Sequence, residues 1–436
     1  MNIPQITTPR VVIIGGGFAG IALAKKLAKQ EVQVVMLDKH NYHTFQPLLY
    51  QVSTGGLEPD SIAYPIRKIL SRYPNFYFRL AKVAKINPEA KKVETDIGSL
   101  KYDYLVLATG SKTNFFGNKE IELNSMIMKT VPEALNLRSL ILQNFEKALL
   151  TDSLDEQDAL LNFVIVGGGP TGVELAGALA EIKKGILPKD YPDLDTRRAQ
   201  INIVQSSERV LDGMSEVASR KAEEFLEKMG VNIWKDTLVT GYDGDIVRTN
   251  SDLTFRTATM IWAAGVEGDL IDGLKSSECL LPGNRLKVNE FLQVGHYENI
   301  FAIGDIACMI SEDYPRGHPM VAQVAIQQGN NLGNNLLKIL GKKTDLKPFV
   351  YKDKGTMATI GRNKAVVDLP SWKFQGFFAW FVWMFVHLLS LIGFRNRAIV
   401  FVNWVYNYIR FDRAARLIIR PYKKKTRSKD VEVAAQ

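Results

Sequence analysis

The chain carries one short pattern twice, about 150 residues apart, in which an apolar strand runs through a glycine-rich turn into a helix. The first copy starts at Arg10 (RVVIIGGGFAGIALAKKLAKQ) and the second at Asn162 (NFVIVGGGPTGVELAGALAEI). Neither apolar run alternates with polar residues, which is typical of a strand buried on both faces of a parallel sheet. Further strands are expected at 32–37 and 201–204, so each copy opens a βαβ unit. Two such units predict two Rossmann-like dinucleotide-binding domains.

The three glycines of each turn have separate tasks. The first permits a tight turn, the second lets the backbone approach a pyrophosphate, and the third lets helix and strand pack closely. The helix N-terminus adds unpaired N–H groups and the positive end of the helix dipole. We therefore expect phosphates to bind at two sets of residues, which are Gly15, Gly17, Phe18, Ala19 and Gly20 in the first loop and Gly167, Gly169, Pro170, Thr171 and Gly172 in the second.

The residue that ends the second strand differs between the two units. In the first unit it is Asp38, followed by Lys39, and a carboxylate at this position can accept hydrogen bonds from ribose hydroxyls. In the second unit it is Gln205, which can bind ribose but does not repel a 2′-phosphate. Two serines and Arg209 follow and could accept that phosphate. We therefore expect weak discrimination between NADH and NADPH.

Glu174 lies just inside the helix of the second unit. A carboxylate near a helix N-terminus can be a residue that the helix dipole favours. It can also be a side chain that faces the nicotinamide or the flavin. The spacing leaves both interpretations open, and Glu174 is kept as a candidate catalytic residue.

The net charge of +9 is concentrated at the C-terminus. Residues 395–436 contain eleven Lys/Arg and three Asp/Glu, which leaves about +1 for the rest of the chain. This basic stretch follows the most apolar part of the sequence, so it favours an anionic lipid surface over nucleic acid. A solvated tail is the other interpretation, chiefly for the last dozen residues.

Two cysteines, Cys279 and Cys308, stand far apart in the sequence. They cannot build a disulfide framework or a zinc site, so we expect a reducing compartment and no metal. Residues 1–10 contain no apolar core of the kind that a secretory signal needs.

The C-terminal region predicts a membrane anchor. Residues 376–394 are apolar except for His387 and Ser390, and as a helix they would be about 28 Å long. A span would place the basic tail on the cytosolic side and the nucleotide-binding body outside, which argues against it. Polar residues then recur every three or four positions in one stripe, namely Asn403, Asn407, Arg410, Arg413, Arg416 and Arg420. We predict a hydrophobic and an amphipathic helix over 376–420, lying on the membrane as a monotopic anchor.

These features together resemble the flavoprotein reductases with two dinucleotide-binding domains, and within them the type II NADH dehydrogenases (NADH:quinone oxidoreductases). The resemblance covers nearly the whole chain, including the stretch 41–57, which in the family lies near the isoalloxazine. It implies FAD contacts from an ATG and a GD motif and nucleotide contacts from an AAG motif. The residues concerned are Ala108, Thr109, Gly110, Gly304 and Asp305 for FAD, and Ala264 and Gly265 for the nucleotide.

The octet AQVAIQQG at 322–329 resembles the AQxAxQ segment that covers the flavin and lines the quinone site in this family. The resemblance implies that Ala322 and Gln323 contact FAD, and that Gln323 and Ile326 contact the quinone. A neutral amide can donate to a quinone carbonyl without carrying charge into an apolar pocket. The alternative is that these glutamines are polar residues on a helix face.

We therefore expect an α/β fold with a nucleotide domain inserted in a flavin domain, followed by a C-terminal helical module. The predicted boundaries are 1–115 and 290–345 for FAD, 116–289 for NAD(P)H and 346–436 for the membrane module. The polar stretch 151–158 predicts a surface loop before the second unit.

The predicted activity passes hydride from NADH to FAD and electrons to a membrane quinone, without proton pumping. The expected location is the cytoplasmic face of the cell membrane. Use of NADPH as a second donor and association as a homodimer stay open.

Other functions fit parts of the pattern. A reductase of a small soluble iron–sulfur protein would need a basic acceptor surface, whereas the basicity here is in the tail. A nucleotide-sensing protein could use the fold without turnover. Disulfide reductases need a CxxxxC or CxxC pair, and the chain has neither. Sulfide:quinone oxidoreductases need reactive cysteines, and neither cysteine has an obvious basic neighbour in the sequence.

Overall fold

The computed structural model describes residues 1–274, 279–410, 412–413 and 415–423. The chain forms two compact units, each built from three separate segments. The first unit comprises Met1–Thr44, Ala63–Thr113 and Val266–Lys354, and the second Phe45–Ile62, Asn114–Gly265 and Gly355–Gln436. The chain passes between the units five times, and the long segment Asn114–Gly265 is inserted between two segments of the first unit, as the predicted fold class requires. These units differ from the predicted domain boundaries at 45–62, 266–289 and 346–354, and residues 355–436 of the predicted C-terminal module belong to the second unit. What each domain binds stays a prediction.

The core of the first unit is a parallel five-stranded sheet. Its central strand carries the buried residues Val11 to Ile14, which pair with Val34 to Leu37 on one side and with Tyr104 to Leu107 on the other. The absence of alternation in the sequence is explained by this burial on both faces. In spatial order the strands are Ile300–Ala302, Tyr104–Leu107, Arg10–Ile14, Gln33–Asp38 and Phe76–Leu80.

Smaller sheets and a few helices complete the first unit. The small sheets contain Tyr42–Thr44 with Ala63–Pro65; Val83–Asn87, Lys92–Thr95 and Gly98–Lys101; Ser111–Thr113 with Val266–Gly268; and Leu280–Leu281, Arg285–Lys287 and Ala307–Cys308. The helices are Phe18–Leu27, Ile66–Leu70, the 3₁₀ turn Gly304–Ile306 and Ala322–Leu340, hereafter the AQ helix. A Cβ at Gly329 would lie 2.5 Å from the Ala19 carbonyl oxygen, so glycine lets the AQ helix pack directly on helix Phe18–Leu27.

The second unit repeats the design around a parallel four-stranded sheet. In spatial order its strands are Val231–Trp234, Gln200–Val204, Asn162–Val166 and Thr259–Trp262. Two antiparallel sheets join it, formed by Val239–Tyr242, Ile246–Thr249 and Thr254–Arg256, and by Thr356–Thr359, Ala365–Asp368 and Lys373–Gln375. Both predicted βαβ units are therefore confirmed, with strand ends within one residue of those expected.

The helices of the second unit come from all three of its segments. They are Gln46–Leu48 (3₁₀), Leu49–Ser53, Pro59–Ile62, Lys119–Asn124, Val131–Ala148, Leu154–Leu161, Pro170–Gly185, Leu187–Asp190, Thr196–Arg198 (3₁₀), Glu216–Lys228, Phe377–Ser390 and Phe394–Arg410.

The predicted loop at 151–158 is wrong, because a helix begins at Leu154. The Ser153 hydroxyl accepts a hydrogen bond from the Glu156 amide at 3.4 Å and caps this helix. A serine followed by acidic residues is a helix start signal that outweighs the polarity of the stretch.

The C-terminal module contains two helices that meet at Gly393, whose φ is +87°. Both are shorter than predicted: the hydrophobic helix ends at Ser390, and the amphipathic helix ends at Arg410 instead of continuing to Arg420. In the part of the chain that the structure describes, no helix combines the length and the apolar character needed to cross a membrane.

Two asparagines of the last helix face the protein. Asn407 donates to the Gly56 carbonyl at 3.0 Å, and Asn396 donates to the carbonyls of Asp60 and Ser61 at 3.1 and 3.0 Å. These side chains thus provide hydrogen-bond donors for carbonyls of the segment 45–62. Such donors are needed because the last carbonyls of a short helix have no partner within the helix. Val400 and Trp404 are buried beside these asparagines, and the other large apolar residues of the helix, among them Phe401, Val402 and Ile409, lie on its outer face.

Candidate active site

The first phosphate loop needs glycine for steric reasons that the geometry makes explicit. Gly15 has φ +111°, and a Cβ there would lie 2.2 Å from the Ala108 carbonyl oxygen. A Cβ at Gly20 would lie 1.9 Å from the Gly15 carbonyl oxygen. A Cβ at Gly17 would meet no protein atom within 4 Å, so the space in front of this residue is open. Gly15 and Gly20 thus serve packing, and Gly17 borders the space for a ligand.

Asp38 holds the first loop in place. Its carboxylate accepts from the Gly16 amide at 2.5 Å and from the His40 amide at 2.7 Å. Burial raises the pKa of Asp38 above its usual value, and the two amides oppose that shift. The neighbouring Lys39 forms an ion pair with Asp269 at 3.1 Å.

The polar groups around the first loop fit a dinucleotide. Helix Phe18–Leu27 has no capping side chain and no acidic residue in its first turn, so its N–H groups and dipole are available to phosphates. The Thr109 hydroxyl and the His43 Nε2 are buried without a hydrogen-bond partner in the described protein. Buried polar groups are rarely left unsatisfied, so these two atoms indicate a missing polar ligand.

The GD motif forms a tight turn at the same sheet edge. Gly304 has φ +76°, a conformation that favours glycine, and its amide donates to the Gln328 carboxamide at 2.7 Å. The Asp305 carboxylate accepts from the Ser111 hydroxyl at 2.5 Å. The turn therefore presents a carboxylate that is held from the side of the ATG segment.

The glutamines of the AQ helix each fix a stretch of backbone. Gln323 accepts from the Lys354 amide at 3.1 Å, and Gln327 exchanges two hydrogen bonds with the backbone of Lys352, at 2.9 and 3.0 Å. Because the Gln323 oxygen is engaged, its NH₂ group is the donor end of the side chain. Ile326 is 39% exposed in the first turns of the helix. Gln327 and Gln328 thus fit the alternative interpretation, in which the glutamines are polar residues on a helix face. The quinone contacts of Gln323 and Ile326 stay predictions.

The second loop repeats the geometry of the first. Gly167 has φ +108°, and a Cβ there would lie 2.7 Å from the Ala263 carbonyl oxygen. A Cβ at Gly172 would lie 2.0 Å from the Gly167 carbonyl oxygen, whereas Gly169 faces open space. Pro170 occupies the first helical turn, where its missing N–H costs nothing.

Gln205 takes the place that Asp38 has in the first unit. Its carboxamide oxygen accepts from the Gly168 amide at 2.6 Å, and its NH₂ group donates to the Ser207 hydroxyl. The second unit has therefore kept the hydrogen bond that holds the loop while losing the negative charge.

Glu174 is buried within the second unit. The helix starts at Pro170, so Glu174 lies beyond its first turn, where dipole stabilisation has weakened. Burial raises the pKa of Glu174 to about 8, opposed by the Thr359 amide at 3.4 Å and by the Trp383 indole. At neutral pH this side chain therefore carries a proton.

The second unit also encloses a cavity of about 330 Å³. Its lining includes the aromatic residues Tyr50, Trp383 and Trp404 and the charged residues Glu181 and Arg413. Its walls come from the segment 45–62, the helix Pro170–Gly185 and the C-terminal module, so distant parts of the sequence share one cavity.

The outer face of the C-terminal helices is an exposed apolar surface. It contains Phe377, Phe378, Phe381, Phe385, Val386, Leu389, Phe394, Phe401, Val402, Val405, Tyr406, Tyr408 and Ile409. Their exposed fractions run from 40% to 86%. An apolar patch of this kind marks an interaction surface, because soluble proteins rarely leave so many adjacent aromatic residues in water.

The C-terminal arginines were expected to face lipid, and the structure pairs several of them within the protein instead. Arg413 contacts Glu181 at 2.6 Å, and Arg416 contacts Asp190 at 2.7 Å. The reason is the position of these two acids near the end of helix Pro170–Gly185 and in the next helix, where the chain passes after Arg410. Lys424–Gln436, which hold much of the basic tail, lie outside the described residues.

The structure sorts the predicted site residues into the two units. The first unit brings together the loop Gly15–Gly20, Asp38, Lys39, Ala108–Gly110, Gly304, Asp305 and the start of the AQ helix. The second brings together Gly167–Gly172, Glu174, Gln205, Ala264 and Gly265. Sequence reasoning missed Ser111, Thr359 and Trp383, for which no local pattern exists. It also did not single out His43 within the stretch 41–57 or Gln328 within the AQVAIQQG octet.

Comparison with known proteins places the chain in a family. Residues 9–329 match the pyridine nucleotide-disulphide oxidoreductase model, and residues 354–413 match the NDH2 C-terminal domain. The type II NADH:quinone oxidoreductase Ndh of Mycobacterium tuberculosis is 34% identical over 92% of this chain and 88% of its own length. The chain belongs to the type II NADH:quinone oxidoreductases, within the pyridine nucleotide-disulphide oxidoreductase family.

Two further relatives extend this family. An internal alternative NAD(P)H-ubiquinone oxidoreductase of Arabidopsis thaliana is 31% identical over 92% of this chain and 84% of its own length. The structure of NDH2 from Plasmodium falciparum, in complex with NADH, superposes with a TM-score of 0.87 at 22% identity. It covers 95% of this chain and all of that one. The family resemblance drawn from the motifs is therefore confirmed.

Substitution of single glycines separates the packing and ligand roles of the first loop. In Gly17→Ala the methyl group enters open space, so we expect unchanged thermal stability of the flavin-free protein but at least about tenfold weaker flavin retention. In Gly20→Ala the methyl group collides with the Gly15 carbonyl, and both properties should fall. The measurements are the flavin-to-protein absorbance ratio and the melting temperature.

Gly213→Ala is the matched control, because a Cβ there also meets nothing within 4 Å but lies outside the loop. Full flavin retention in Gly17→Ala would contradict the assigned role of the open space.

The buried carboxyl of Glu174 predicts a pH-dependent stability. Its folded-state pKa of about 8 exceeds the unfolded value of 4.5, so the unfolded state ionises first as the pH rises. The contribution of the protonated form is therefore complete below about pH 4.5 and is lost as the pH rises towards 8. In Glu174→Gln this loss is absent, and the variant should gain roughly 3 kcal/mol over the native protein between pH 5 and pH 7.

Urea unfolding at pH 5, 6, 7 and 8 measures this difference in the free energy of unfolding. Glu227→Gln, an exposed position on another helix of the same unit, serves as the control and should show no such trend. A constant difference between Glu174→Gln and the native protein across the pH range would refute the prediction.

Proposed function

We propose that this protein oxidises NADH bound at the second phosphate loop, holds FAD at the first, and reduces a quinone drawn from the membrane. The observation that carries this proposal is the presence of the AQ helix in the same unit as the first loop and the GD turn. That unit combines residues suited to a flavin with Gln323 and Ile326, which the family resemblance assigns to the quinone. When bound, FAD takes up hydride and gives up electrons to the quinone.

The residues of the chain supply binding, orientation and protons. Asp38 fixes the first loop and offers its carboxylate to ribose, and Asp305 is placed to accept from the ribityl hydroxyls. The Gln323 NH₂ group donates to a quinone carbonyl, with Ile326 as its apolar neighbour. Glu174 holds a proton in a buried position of the second unit.

We further propose that the protein binds the cytoplasmic face of the membrane through the outer face of its C-terminal helices. This proposal is supported by the exposed phenylalanines of helix Phe377–Ser390 and by the basic residues of the tail. Because several arginines already pair with acids of the protein, apolar burial supplies most of the binding free energy. An anionic lipid surface adds attraction for the remaining cations.

Two exposed phenylalanines provide a test of the whole proposal. The native protein should oxidise NADH with a long-chain quinone in liposomes and also with a short-chain, water-soluble quinone. Phe381 and Phe385 are each 56% exposed, and replacing both by serine removes on the order of 2–3 kcal/mol of membrane binding. We expect at least tenfold less liposome binding and long-chain quinone reduction, with short-chain activity unchanged.

Leu150→Ser is the control, since Leu150 is 84% exposed in the turn after helix Val131–Ala148 of the same unit. Equal loss with both quinones would refute the membrane role, and absence of quinone reduction in the native protein would refute the function. Reduction of a small iron–sulfur protein in place of quinones would establish the alternative, a reductase of a soluble acceptor.

Gln205 provides a test of donor choice. Its neutral side chain does not repel a 2′-phosphate, so the native protein should use NADPH with less than about a 1,000-fold disadvantage in kcat/KM. Gln205→Glu keeps an acceptor for the Gly168 amide and adds a negative charge. We expect kcat/KM for NADPH to fall at least tenfold while that for NADH changes less than about threefold.

Steady-state kinetics with both nucleotides measures these ratios. Gln200→Glu, an exposed position on the same strand, adds the same charge away from the loop and should alter neither ratio. Unchanged NADPH use in Gln205→Glu would show that this position does not select the donor.

A further inference from the structure

Among the described residues, the hydrogen-bond partners of the buried cation Arg285 are all main-chain oxygens. It lies on strand Arg285–Lys287 with 7% of its surface exposed. Its Nε donates to the Asp305 carbonyl at 3.1 Å, and its Nη2 donates to the carbonyls of Ala307 at 2.5 Å and His318 at 3.0 Å. Within the described part of the chain no carboxylate forms an ion pair with it. Burying a charge is costly, so the contacts that retain it are informative.

The three carbonyls belong to two elements of the candidate site. Asp305 and Ala307 belong to the GD turn and the residue that ends it. His318 lies four residues before Ala322, the first residue of the AQ helix. His318 is itself buried and packs against the rings of Tyr314 and Phe349, with centroids 4.6 and 5.3 Å away. The guanidinium therefore joins the GD turn to a fixed point at the entry of the AQ helix.

A second contact joins the same two elements. The Gln328 side chain is buried at 1% exposure in the AQ helix, and its oxygen accepts from the Gly304 amide at 2.7 Å. Arg285 and Gln328 thus hold the turn at Gly304–Ile306 from two directions. Neither side chain belongs to the residues that the motifs assign to FAD or to the quinone.

We propose that Arg285 is a positioning residue that sets the separation between the flavin-binding Asp305 and the quinone-facing start of the AQ helix. The proposal rests on the function proposed above. Only the planar guanidinium offers several donors in a fixed fork, whereas a lysine at this position has one nitrogen to share among three carbonyls. Loss of the fork frees the GD turn and the helix entry to move apart, which affects flavin and quinone together and leaves the nucleotide loop of the other unit unchanged.

Arg285→Lys in the full-length holoenzyme tests this role. FAD release after dilution, followed by recovery of flavin fluorescence, should be at least about tenfold faster than in the native protein. The KM for a short-chain quinone should rise at least about fivefold, and the KM for NADH should stay within twofold. A residue that serves stability alone would lower the melting temperature without this division between the two KM values.

Arg256→Lys is the matched control, because Arg256 forms a surface ion pair with Asp245 at 3.3 Å and touches neither element. Gln328→Met removes the second contact and should give the same pair of changes. In the double variant the effects on FAD release should be less than additive, since both contacts hold one turn.

Native FAD release and native quinone KM in Arg285→Lys would overturn the proposal, as would fully additive effects with Gln328→Met. Should Arg285→Lys not fold, native FAD release in Gln328→Met would overturn it. A native protein without quinone reduction would defeat the proposed function, while the FAD-release arm would still decide the role of Arg285.

Discussion

The architecture of both units depends on main chain touching main chain at a glycine. In each loop the third glycine lies so close to the carbonyl of the first that a single methyl group would overlap it, as the distances at Gly20 and Gly172 show. This contact draws the helix N-terminus to the end of the central strand. The shape of the loop and the direction of the helix dipole towards it follow from that approach. The polar side chains that hold each loop, Asp38 and Gln205, act on a geometry that the glycines have already set.

The two units show how one architecture can keep a structural bond while changing its charge. Asp38 accepts a hydrogen bond from the Gly16 amide at 2.5 Å, and Gln205 accepts one from the Gly168 amide at 2.6 Å. Burial of Asp38 in the first unit disfavours its charged form, because the carboxylate loses contact with water. The neutral amide of Gln205 in the second unit avoids this desolvation cost. Loop geometry therefore does not require a carboxylate, and the charge at this position is available for ligand selection.

The periodic and steric parts of the fold could be predicted from the sequence. Buried parallel strands, phosphate loops and the GD turn follow from local patterns, because apolar runs and glycines report burial and close approach directly. The partners of Glu174 could not be predicted, since Thr359 and Trp383 are brought to it by tertiary contacts almost 200 residues away in the sequence. The same holds for the C-terminal arginines, whose periodicity predicted one polar stripe and which were expected to face lipid. Periodicity gives a face of a helix, but acids elsewhere in the chain decide what that face meets.

The burial of Trp383 beside Glu174 of helix Pro170–Gly185 has a consequence for how this protein can be handled. Trp383 belongs to helix Phe377–Ser390, which also exposes Phe381 and Phe385 on its outer side. One side of this helix is therefore the proposed membrane anchor, and the other side covers Glu174. Cutting the chain before Phe377 would open the interior to water and charge Glu174 at neutral pH. To obtain a form of the protein that needs no detergent, substituting polar residues on the outer side of that helix is therefore a better route than truncation.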